Sequence, residues 1–499
     1  MRKPASARPG SLDWTGRGLA YDARHRPAAV AIVYRDVSTT YRRLAAHILA
    51  TMDVLVAAGI GPGQVLGVET GDRYHHLLIL LAAETLGVTT MSLRLSELGS
   101  PAHLERLCDR IIVSEAPPPS LAHIGKFLPM PSDRFADIAT RPVDDHRLAE
   151  LEREPDPDAI ARLIKSSGTT GTPKVMRMTH RVQQRVVEKC LMYAPPWVTS
   201  HPDFLCLYSF VVRASYARTL ATLQAGGTVH MTGSDVVWDL VHAGIGNYTM
   251  LVAGDLERLV RSAPRGNGPF PLYLDVIGAE IPARLRQEVR AKLTEHLVVT
   301  YSSNETNRVS VVDDNNVGTL FPGTQIRIED DQGKPLPIGQ TGLIYLKSDT
   351  MTDGYVNAPD LTQTTFVDGW FRTSDIGFQP STDKLVVLGR NDDMLNVGGL
   401  KIAPGPIEQR LKAIDGVGDA LVTSIDDHMA TRVMLVAIET APDADPAALI
   451  SQITPIVRAY VGYFQLVALP RFPRTETGKI QREAVKALYR EQSHKLRVG

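Results

Sequence analysis

The sequence predicts an α/β fold with largely parallel sheets, arranged in two or three units. Short apolar strands such as 65–68 alternate with helical segments such as 75–83, which is typical of parallel strands joined by helices. The chain has 499 residues, and at about 100–200 residues per domain it is too long for one small core. Its 43% of hydrophobic and 22% of charged residues are typical of a globular protein.

The first clear helix is predicted from about Tyr41. Leu44, Ile48 and Leu55 recur at helical spacing, and the Gly- and Pro-rich segment 59–63 ends the helix. The opening residues of the chain, rich in Arg, Pro and Ala, are expected to form a loose lead-in.

Two buried strands and a helix are predicted in the middle of the chain. The strands are 272–276 and 297–301, and the helix 283–293 lies between them. The loops that follow these strands are 278–280 and 302–305. Because ligands bind at the carboxyl ends of strands in open α/β sheets, both loops are predicted to lie at a ligand site.

The pattern becomes antiparallel beyond residue 324. Strands 324–329 and 343–347 flank a turn at 331–333, which predicts a small β-meander or barrel. A mixed strand and helix unit of roughly a hundred residues follows the segment 389–393. We place a domain boundary at that segment.

Composition excludes several classes of protein. With 54 Lys and Arg against 55 Asp and Glu, a strongly basic nucleic-acid surface is excluded as the organising theme. The three cysteines have no CxxC spacing, which argues against a disulfide framework or a cysteine-based zinc site. Segment 1–11 lacks the apolar run of a signal peptide, and the most apolar stretch, 77–83, is far shorter than the ~20 residues that span a bilayer. We therefore expect a cytoplasmic protein without a membrane span.

The sharpest motif is the hydroxyl- and glycine-rich segment 166–174. Small residues expose backbone N–H groups and one lysine adds charge, which are the ingredients of a phosphate-binding loop. It is not a Walker A loop, because Pro173 precedes the lysine and Val175 follows it. The candidate phosphate-binding residues are Ser166, Ser167, Gly168, Thr169, Thr170 and Lys174.

Five segments resemble, in the same order, the signatures of the acyl-adenylate-forming superfamily. This superfamily includes acyl- and aryl-CoA synthetases, peptide-synthetase adenylation domains and luciferases. The matching segments are the phosphate loop 166–174, the Tyr-Ser-Ser-Asn-Glu segment 301–305, the Gly-Trp-Phe-Arg-Thr-Ser-Asp segment 369–375, the hinge segment 389–393 and the lysine loop 473–480. The resemblance covers the chain from about residue 40 onward.

The resemblance implies an α/β fold with a large N-terminal domain and a small mobile C-terminal domain. The N-terminal AMP-binding domain, 1–388, is expected to contain two α/β subdomains and a small β-barrel. A hinge at 389–393 is expected to lead to an α+β lid domain, 394–499, which carries the adenylation lysine.

The resemblance implies a reaction in which a carboxylate attacks the α-phosphate of ATP, so that two anions approach each other. Cations and fixed dipoles must offset their repulsion. By resemblance, Lys479 is the adenylation lysine that supplies this charge. Glu305 matches the Mg²⁺-binding position, and Thr169 of the phosphate loop is the second metal candidate. Without the motif, Lys479 would be taken as a surface lysine and Glu305 as a solvated loop carboxylate.

The remaining matched positions are implied to bind the nucleotide. Asp375 and Arg390 match residues that bond the ribose hydroxyls, and a structural ion pair is the alternative. Tyr301 would lie against the adenine face, although it could equally belong to the core. The adenine edge would be lined by Gly278, Ala279 and Glu280, and the magnesium segment contributes Ser302 and Asn304.

By resemblance, Asp392 falls on the family's hinge position, about which the small domain is implied to swing between two poses. Gly398 and Gly399 would then approach the acceptor channel, because glycine permits close backbone contact. Several positions depart from the family pattern, namely Val175, Ser302, Asn304 and Ser374. These departures indicate a divergent member.

Two pocket positions concern the acid substrate. Peptide-synthetase domains place an aspartate where this chain has Arg213, and a cation there would repel the ammonium of an α-amino acid. The nearby position where many CoA synthetases carry a histidine is Val211. We therefore disfavour ordinary α-amino acids.

The predicted function is an ATP- and Mg²⁺-dependent ligase that converts a small-molecule carboxylic acid (aryl, fatty or dicarboxylic) to an acyl-adenylate, with coenzyme A as the favoured acceptor. Twenty residues follow Lys479, too few for a carrier domain, so we expect transfer to a diffusible acceptor or a separate protein. A free amine and a carrier-protein thiol are the alternative acceptors, and a catalytically silent nucleotide-binding protein is the alternative class. The sequence leaves the acid, the pathway and the choice between monomer and homodimer undetermined.

Overall fold

The computed structural model describes residues 14–94, 106–117, 119–142, 144–165, 174–264, 268–278, 280–391, 394–397, 400–426, 432–440, 444–474 and 480–495. The elements of the first part are α1 (Thr15–His25), β1 (Val30–Tyr34), β2 (Val37–Thr40), α2 (Tyr41–Ala57), β3 (Val65–Glu69), α3 (Arg73–Thr85), β4 (Thr89–Ser92), β5 (Arg110–Val113), β6 (Phe127–Pro129), α4 (Ser132–Thr140), α5 (Leu148–Leu151) and β7 (Ile160–Lys165).

The second part continues the alternation of strands and helices. Its elements are β8 (Val175–Thr179), α6 (His180–Cys190), α7 (Pro196–Thr199), β9 (Asp203–Cys206), α8 (Arg213–Gln224), β10 (Thr228–Met231), α9 (Val237–His242), β11 (Tyr248–Val252), α10 (Ala253–Arg261), β12 (Tyr273–Ile277), α11 (Ala283–Lys292), β13 (Leu297–Ser303) and β14 (Asn307–Val312).

The third and fourth parts are richer in antiparallel strands. The third contains β15 (Gly318–Leu320), β16 (Thr324–Glu329), β17 (Gly342–Ser348), α12 (Pro359–Thr365), β18 (Phe366–Val367), β19 (Trp370–Phe378) and β20 (Lys384–Arg390). The fourth contains β21 (Leu395–Val397), β22 (Leu400–Ile402), α13 (Pro404–Lys412), β23 (Val417–Asp426), β24 (Arg432–Thr440), α14 (Pro446–Arg458), β25 (Phe464–Leu469) and α15 (Arg482–Lys495).

Two largely parallel sheets form the α/β part, as the alternation of elements predicts. One has the order β6-β5-β3-β4-β7-β8, parallel except for β8 at its edge. The other runs β13-β12-β11-β9-β10-β1 in parallel, with β2 antiparallel at the end. One buried cluster contains Leu66 of β3, Leu49 of α2, Leu77 of α3 and Val229 of β10, so the two sheets share a core.

The antiparallel unit predicted beyond residue 324 continues from the second sheet. Strands β16, β17, β19 and β20 pair in that order, and β20 joins β15 and then β14 and β13. The 331–333 turn is closed by a hydrogen bond from the Gly333 amide to the Asp330 carbonyl, 3.1 Å long. Because of this pairing, β13 and the end of β19 lie in one continuous surface.

The C-terminal part has its own sheet and its own core. Strands β23, β24 and β25 form the sheet. Val422 packs in a cluster with Ile407 of α13 and Ile453 of α14, whereas its neighbour Leu421 packs with Val485 of α15 on the other face. This alternation is the period of two that a strand covered on both faces requires.

The structure differs from the sequence prediction at two places. Helix α1 and strands β1 and β2 precede the first predicted helix, and the predicted lead-in lies partly outside the described residues. Strand β13 continues two residues beyond 301 because Ser302 pairs with Arg308 and Ser303 with Asn307 of β14. Within the described ranges, every helix is too short or too polar to cross a bilayer.

A buried ion cluster connects β12 to α8, β13 and β14. Asp275 of β12 accepts from the Arg218 guanidinium, lies 3.0 Å from Nη2 of Arg308 and accepts from Thr300 Oγ1 at 3.2 Å. Burial alone would raise the pKa of Asp275, but the two guanidinium groups lower it below its usual range. The carboxylate is therefore charged, and its stabilising contribution exists above the unfolded-state pKa and is lost as pH falls through the lower folded-state pKa.

Replacing Asp275 with asparagine is expected to lower the free energy of unfolding by about 3–5 kcal/mol, because two buried cations lose their counter-charge. Denaturant unfolding at neutral pH measures this loss. Asp158→Asn is the matched control, because Asp158 pairs with Arg181 at the surface and exposed pairs contribute about 1 kcal/mol or less. Equal losses in the two variants would contradict the role of Asp275.

Candidate active site

A cavity of about 790 Å³ lies beside the carboxyl ends of β12 and β13 and is closed on its other side by β19 and β20. Open α/β sheets bind ligands at this end of their strands. The sequence-predicted residues that line it are Lys174, Gly278, Glu280, Tyr301, Ser302, Asn304, Glu305, Asp375 and Arg390. Residues from four separate motifs therefore meet in one place.

Gly278 follows β12 directly and opens the backbone toward the cavity. Its φ angle is 91°, a left-handed conformation that glycine adopts without steric cost. Glu280 is exposed at the same edge, and its carboxylate accepts a hydrogen bond from the Gln409 amide of α13. The C-terminal part thus touches the rim of the cavity.

One wall of the cavity contains a group of neighbouring polar residues, Tyr301, Asp375 and Arg390. Asp375 of β19 and Arg390 of β20 are opposite each other in the strand register. The Tyr301 hydroxyl donates a hydrogen bond to Asp375. Burial and the Asp375 carboxylate hold the pKa of Tyr301 well above its ordinary value, so this hydroxyl remains a donor. A carboxylate beside a guanidinium presents an acceptor and several donors, the set that binds a vicinal diol.

The backbone fixes Asp375 from the other side. Its amide donates to Thr373 Oγ1 at 2.9 Å, and the same threonine hydroxyl donates to the Ile344 carbonyl at 2.7 Å. Because Thr373 is buried, the carboxylate is held at a defined position on the strand.

Glu305 lies in the turn between β13 and β14. Its carboxylate Oε1 accepts from the Tyr355 hydroxyl at 3.0 Å, and its carbonyl accepts from the Thr352 amide at 2.8 Å. Burial and the nearby Glu305 charge raise the pKa of Tyr355, so the phenol stays protonated. The ammonium of Lys174 lies 5.2 Å from the centre of the Tyr355 ring. A carboxylate and a cation are therefore positioned on one wall of the cavity.

The geometry fits Mg²⁺ bound with phosphate. Mg²⁺ is held in such sites by one or two carboxylates together with phosphate oxygens and water, and Glu305 supplies one hard oxygen donor. In the part of the chain that the structure describes, no group of three or more His, Cys, Asp or Glu side chains is placed to hold a metal.

Val211 and Arg213 line a second, smaller cavity. Its volume is about 40 Å³, and Arg213 is the first residue of α8. The Arg213 guanidinium donates to the carbonyl of Ser303 at 3.4 Å, and Ser303 lines the large cavity. The second cavity is therefore adjacent to the first.

Several predicted positions lie outside the described residues. They are Ser166, Ser167, Gly168, Thr169, Thr170, Ala279, Asp392, Gly398, Gly399 and Lys479. Their assigned roles stay predictions from the sequence.

Sequence reasoning missed Tyr355, which contacts both Glu305 and Lys174. One partner is distant in sequence (Glu305 lies 50 residues away), and a single tyrosine between β17 and α12 carries no local signal. Arg286 of α11 also lines the cavity, whereas the sequence predicted only the helix 283–293 that contains it.

The fold and the cavity together define a class of α/β protein in which a cavity of about 790 Å³ lies at the carboxyl ends of strands of a large N-terminal part, and a small C-terminal part touches its rim. The family model of AMP-binding enzymes matches residues 19–356. The chain belongs to the AMP-binding enzyme family.

Curated relatives with CoA-ligase names are similar over much of the chain. The sulfoacetate–CoA ligase of Cupriavidus necator is 28% identical over 359 residues, which are 68% of this chain and 69% of that protein. The 2-hydroxy-7-methoxy-5-methyl-1-naphthoate–CoA ligase of Streptomyces carzinostaticus is 25% identical, over 95% of this chain and 93% of the relative. A third relative, tyrocidine synthase 3 of Brevibacillus parabrevis, is 24% identical over 93% of this chain, and the match spans 7% of that protein.

Two solved structures show the same fold. ATP-bound MatB from Rhodopseudomonas palustris has a TM-score of 0.80 at 22% identity, covering 96% of this chain and 99% of its own. The amide bond synthetase McbA from Marinactinospora thermotolerans has a TM-score of 0.76 at 20% identity, covering 95% and 99%. The predicted superfamily and the predicted division into a large and a small domain are confirmed.

Proposed function

We propose that the protein is an ATP- and Mg²⁺-dependent carboxylic acid ligase that forms an acyl-adenylate and transfers the acyl group to coenzyme A. The observation that carries this proposal is the meeting of Tyr301, Glu305, Asp375 and Arg390 in one cavity. These residues come from three motifs. Glu305 offers a carboxylate for Mg²⁺, and Asp375 and Arg390 offer an acceptor and donors for the ribose hydroxyls.

In the first step, a carboxylate oxygen of the acid attacks the α-phosphorus of ATP. The bond from the α-phosphorus to the bridging oxygen breaks, and pyrophosphate leaves with that electron pair. Lys479 would place its ammonium between the two anions, while Lys174 lies on the wall of the same cavity. Bound Mg²⁺ would neutralise phosphate charge, and Glu305, with Thr169, would hold it.

Asp375 and Arg390 would bind the ribose hydroxyls, and Tyr301 would hold the Asp375 carboxylate in place by its hydrogen bond. The backbone around Gly278 would line the adenine edge. Ser166, Ser167, Gly168, Thr169 and Thr170 would bind the phosphates through backbone N–H and hydroxyl groups.

In the second step, the thiol sulfur of coenzyme A attacks the acyl carbon, and AMP leaves as the carbon–oxygen bond of the mixed anhydride breaks. We place the domain boundary at 389–393 and the hinge at Asp392, about which the C-terminal domain would turn between the two steps. Gly398 and Gly399 would then line the acceptor channel. The CoA-ligase names of the relatives support this acceptor.

A free amine is the second candidate acceptor, favoured by the structural similarity to an amide bond synthetase. Both reactions share the first step, so only the second substrate distinguishes them. A carrier-protein thiol is the third candidate, and the cytoplasmic location stays a prediction from the sequence.

The test is pyrophosphate release from ATP and Mg²⁺ with aryl, fatty and dicarboxylic acids, with and without coenzyme A. Acid-dependent release that coenzyme A accelerates, with acyl-CoA detected by mass spectrometry, supports the proposal. Release that is indifferent to coenzyme A, with amide formed when an amine is added, would replace the acceptor. Absence of release with every acid would contradict the ligase assignment.

Asp375→Asn is expected to raise KM for ATP by roughly 10-fold, because the amide loses the charge that strengthens hydrogen bonds to the ribose. 2′-Deoxy-ATP provides a matched readout, since the variant should discriminate less against it than the wild type does. Asp353→Asn is the control, because Asp353 is an exposed partner of Arg177 outside the cavity. An unchanged preference for ATP over 2′-deoxy-ATP would remove Asp375 from ribose binding.

A further inference from the structure

The second cavity is lined by several cationic side chains. It is surrounded by the ends of β4 and β7 and the start of α8, and its volume of about 40 Å³ is enough for roughly three water molecules or one small charged group. The lining residues with charged side chains are Arg94, Arg162, Lys165 and Arg213. Among the described residues that line it, none is acidic.

Arg162 is buried in the wall with part of its guanidinium unsatisfied. The residue is 3% exposed. Its Nη2 donates to Ser92 Oγ at 2.7 Å and to the Phe210 carbonyl at 3.4 Å, and the guanidinium lies 4.3 Å from the centre of the Tyr216 ring. Its Nε and Nη1 have no hydrogen-bond partner among the described residues. Buried donors left unpaired are costly, so these two indicate an absent acceptor.

Glu84 is the buried carboxylate whose charge interacts with Arg162, and it already accepts hydrogen bonds from other residues. Glu84 accepts hydrogen bonds from the Gln183 amide and from the Tyr216 hydroxyl. Burial raises the pKa of Glu84 to about 7, so near neutral pH this carboxyl is only partly ionised. The positive charge of Arg162 is therefore incompletely balanced.

Arg213 adds a second guanidinium at the same place. Burial and then the proximity of like charge, including Arg162, lower its pKa to about 10, against a raising effect of Glu305. Two guanidinium groups that repel each other next to a small cavity make an electrostatic site for an anion. Through Ser303, Arg213 also borders the cavity in which the reacting carboxylate would meet ATP.

We propose that the acid substrate carries a second anionic group, and that Arg162 and Arg213 bind this group in the second cavity while the reacting carboxylate faces the large cavity. This inference rests on the proposed ligase function and names its substrate class. Arg94 and Lys165 contribute positive charge at the rim. Arginine suits the task because its planar fork donates two parallel hydrogen bonds to a carboxylate or sulfonate.

The test compares dicarboxylates with uncharged analogues of the same length. Pyrophosphate release is measured with each dicarboxylic acid from malonate to adipate and with its monoamide, which keeps hydrogen bonding but lacks the second charge. We expect at least one dicarboxylate to exceed its monoamide in kcat/KM by roughly 100-fold. Equal or greater efficiency with monoamides, fatty acids or aryl acids would overturn the proposal and leave the ligase function standing.

The Arg213→Gln variant tests whether the second anionic group binds in the second cavity. It is expected to raise KM for the preferred dicarboxylate by about 30-fold, with a change below roughly 3-fold for the monoamide. Arg162→Gln should act in the same direction, and its folding is checked by thermal unfolding because Arg162 is buried. Arg261→Gln is the matched control, because Arg261 is exposed on α10 and pairs with Glu257 one helical turn away.

Two further outcomes separate the alternatives. If Arg213→Gln raises KM for ATP or coenzyme A equally with every acid, the cations bind a phosphate and the proposal is wrong. If no acid releases pyrophosphate, the ligase function fails, and titration calorimetry with the same dicarboxylates then decides the anion site. Saturable binding that Arg213→Gln abolishes would support the site, and absence of binding would overturn it.

Discussion

Lys479→Ala is expected to lower acid-dependent pyrophosphate release by roughly 100- to 1,000-fold, while ATP binding changes little. The ammonium is proposed to offset the repulsion between the acid carboxylate and the α-phosphate, an interaction that is strongest as the two anions join. Losing one such preorganised charge typically removes about 3–4 kcal/mol of transition-state stabilisation. Because the interaction forms mainly in the transition state, the rate should fall with nearly unchanged KM.

Lys486→Ala is the matched control for this variant. Lys486 belongs to α15 of the same C-terminal part and pairs with Glu483 at 2.7 Å. Its removal should leave pyrophosphate release within roughly two-fold of wild type, since surface pairs contribute little. Preformed acyl-adenylate provides a second readout, because Lys479→Ala should still convert it to acyl-CoA. Wild-type pyrophosphate release by Lys479→Ala would remove this residue from the adenylation step.

Glu305→Gln is expected to reduce the rate by roughly 100-fold at a fixed Mg²⁺ concentration and to raise the Mg²⁺ concentration needed for half the maximal rate. The substitution keeps the size of the side chain but replaces a hard anionic oxygen ligand with a neutral amide, which Mg²⁺ binds poorly. Titrating Mg²⁺ at constant ATP measures both effects.

Two further variants make the Glu305 result specific. Tyr355→Phe removes the hydroxyl that donates to Glu305 at 3.0 Å but retains the ring beside Lys174. As a positioning residue it should produce a smaller shift of the Mg²⁺ requirement, in the same direction. Glu295→Gln alters an exposed carboxylate before β13 and should leave the requirement unchanged. An unaltered Mg²⁺ requirement in Glu305→Gln would contradict the metal assignment.

Local sequence patterns predicted the elements whose packing is local. Helix α2 begins at Tyr41, as predicted, because its apolar stripe and the Gly- and Pro-rich segment after it are both contained in one window. Helix α1 was missed because its buried side is made of small residues and Leu19, a weak stripe in a segment with two glycines. It is stabilised by packing within the large shared core, which no local window contains.

The residues of the candidate site that belong to sequence motifs could be predicted from the sequence. Asp375 and Arg390 were identified from separate motifs, and the strand register then placed them opposite each other. The hydrogen bond from Tyr301 to Asp375 joins residues 74 positions apart, so only the fold could reveal it. The same holds for the environment of Arg162, since its neighbours Tyr216 and Glu84 are 132 positions apart.

Arg213 illustrates how a residue type can be informative before its surroundings are known. The sequence predicted a cation in the substrate pocket and thereby disfavoured ammonium-bearing acids. The structure adds a second buried guanidinium beside it and a cavity of matching size. The proposed preference for acids with a second negative charge rests on that pair, which one position alone could not indicate.

The central claim is that the protein joins a carboxylic acid to AMP. Acid-dependent exchange of radiolabelled pyrophosphate into ATP, with Mg²⁺ present and both coenzyme A and amines absent, tests it most directly because only a reversible adenylation produces the label. We predict exchange with at least one acid, strongest with a dicarboxylate and abolished in Lys479→Ala. Exchange that is absent with every aryl, fatty and dicarboxylic acid, from a folded protein that binds ATP, would contradict it.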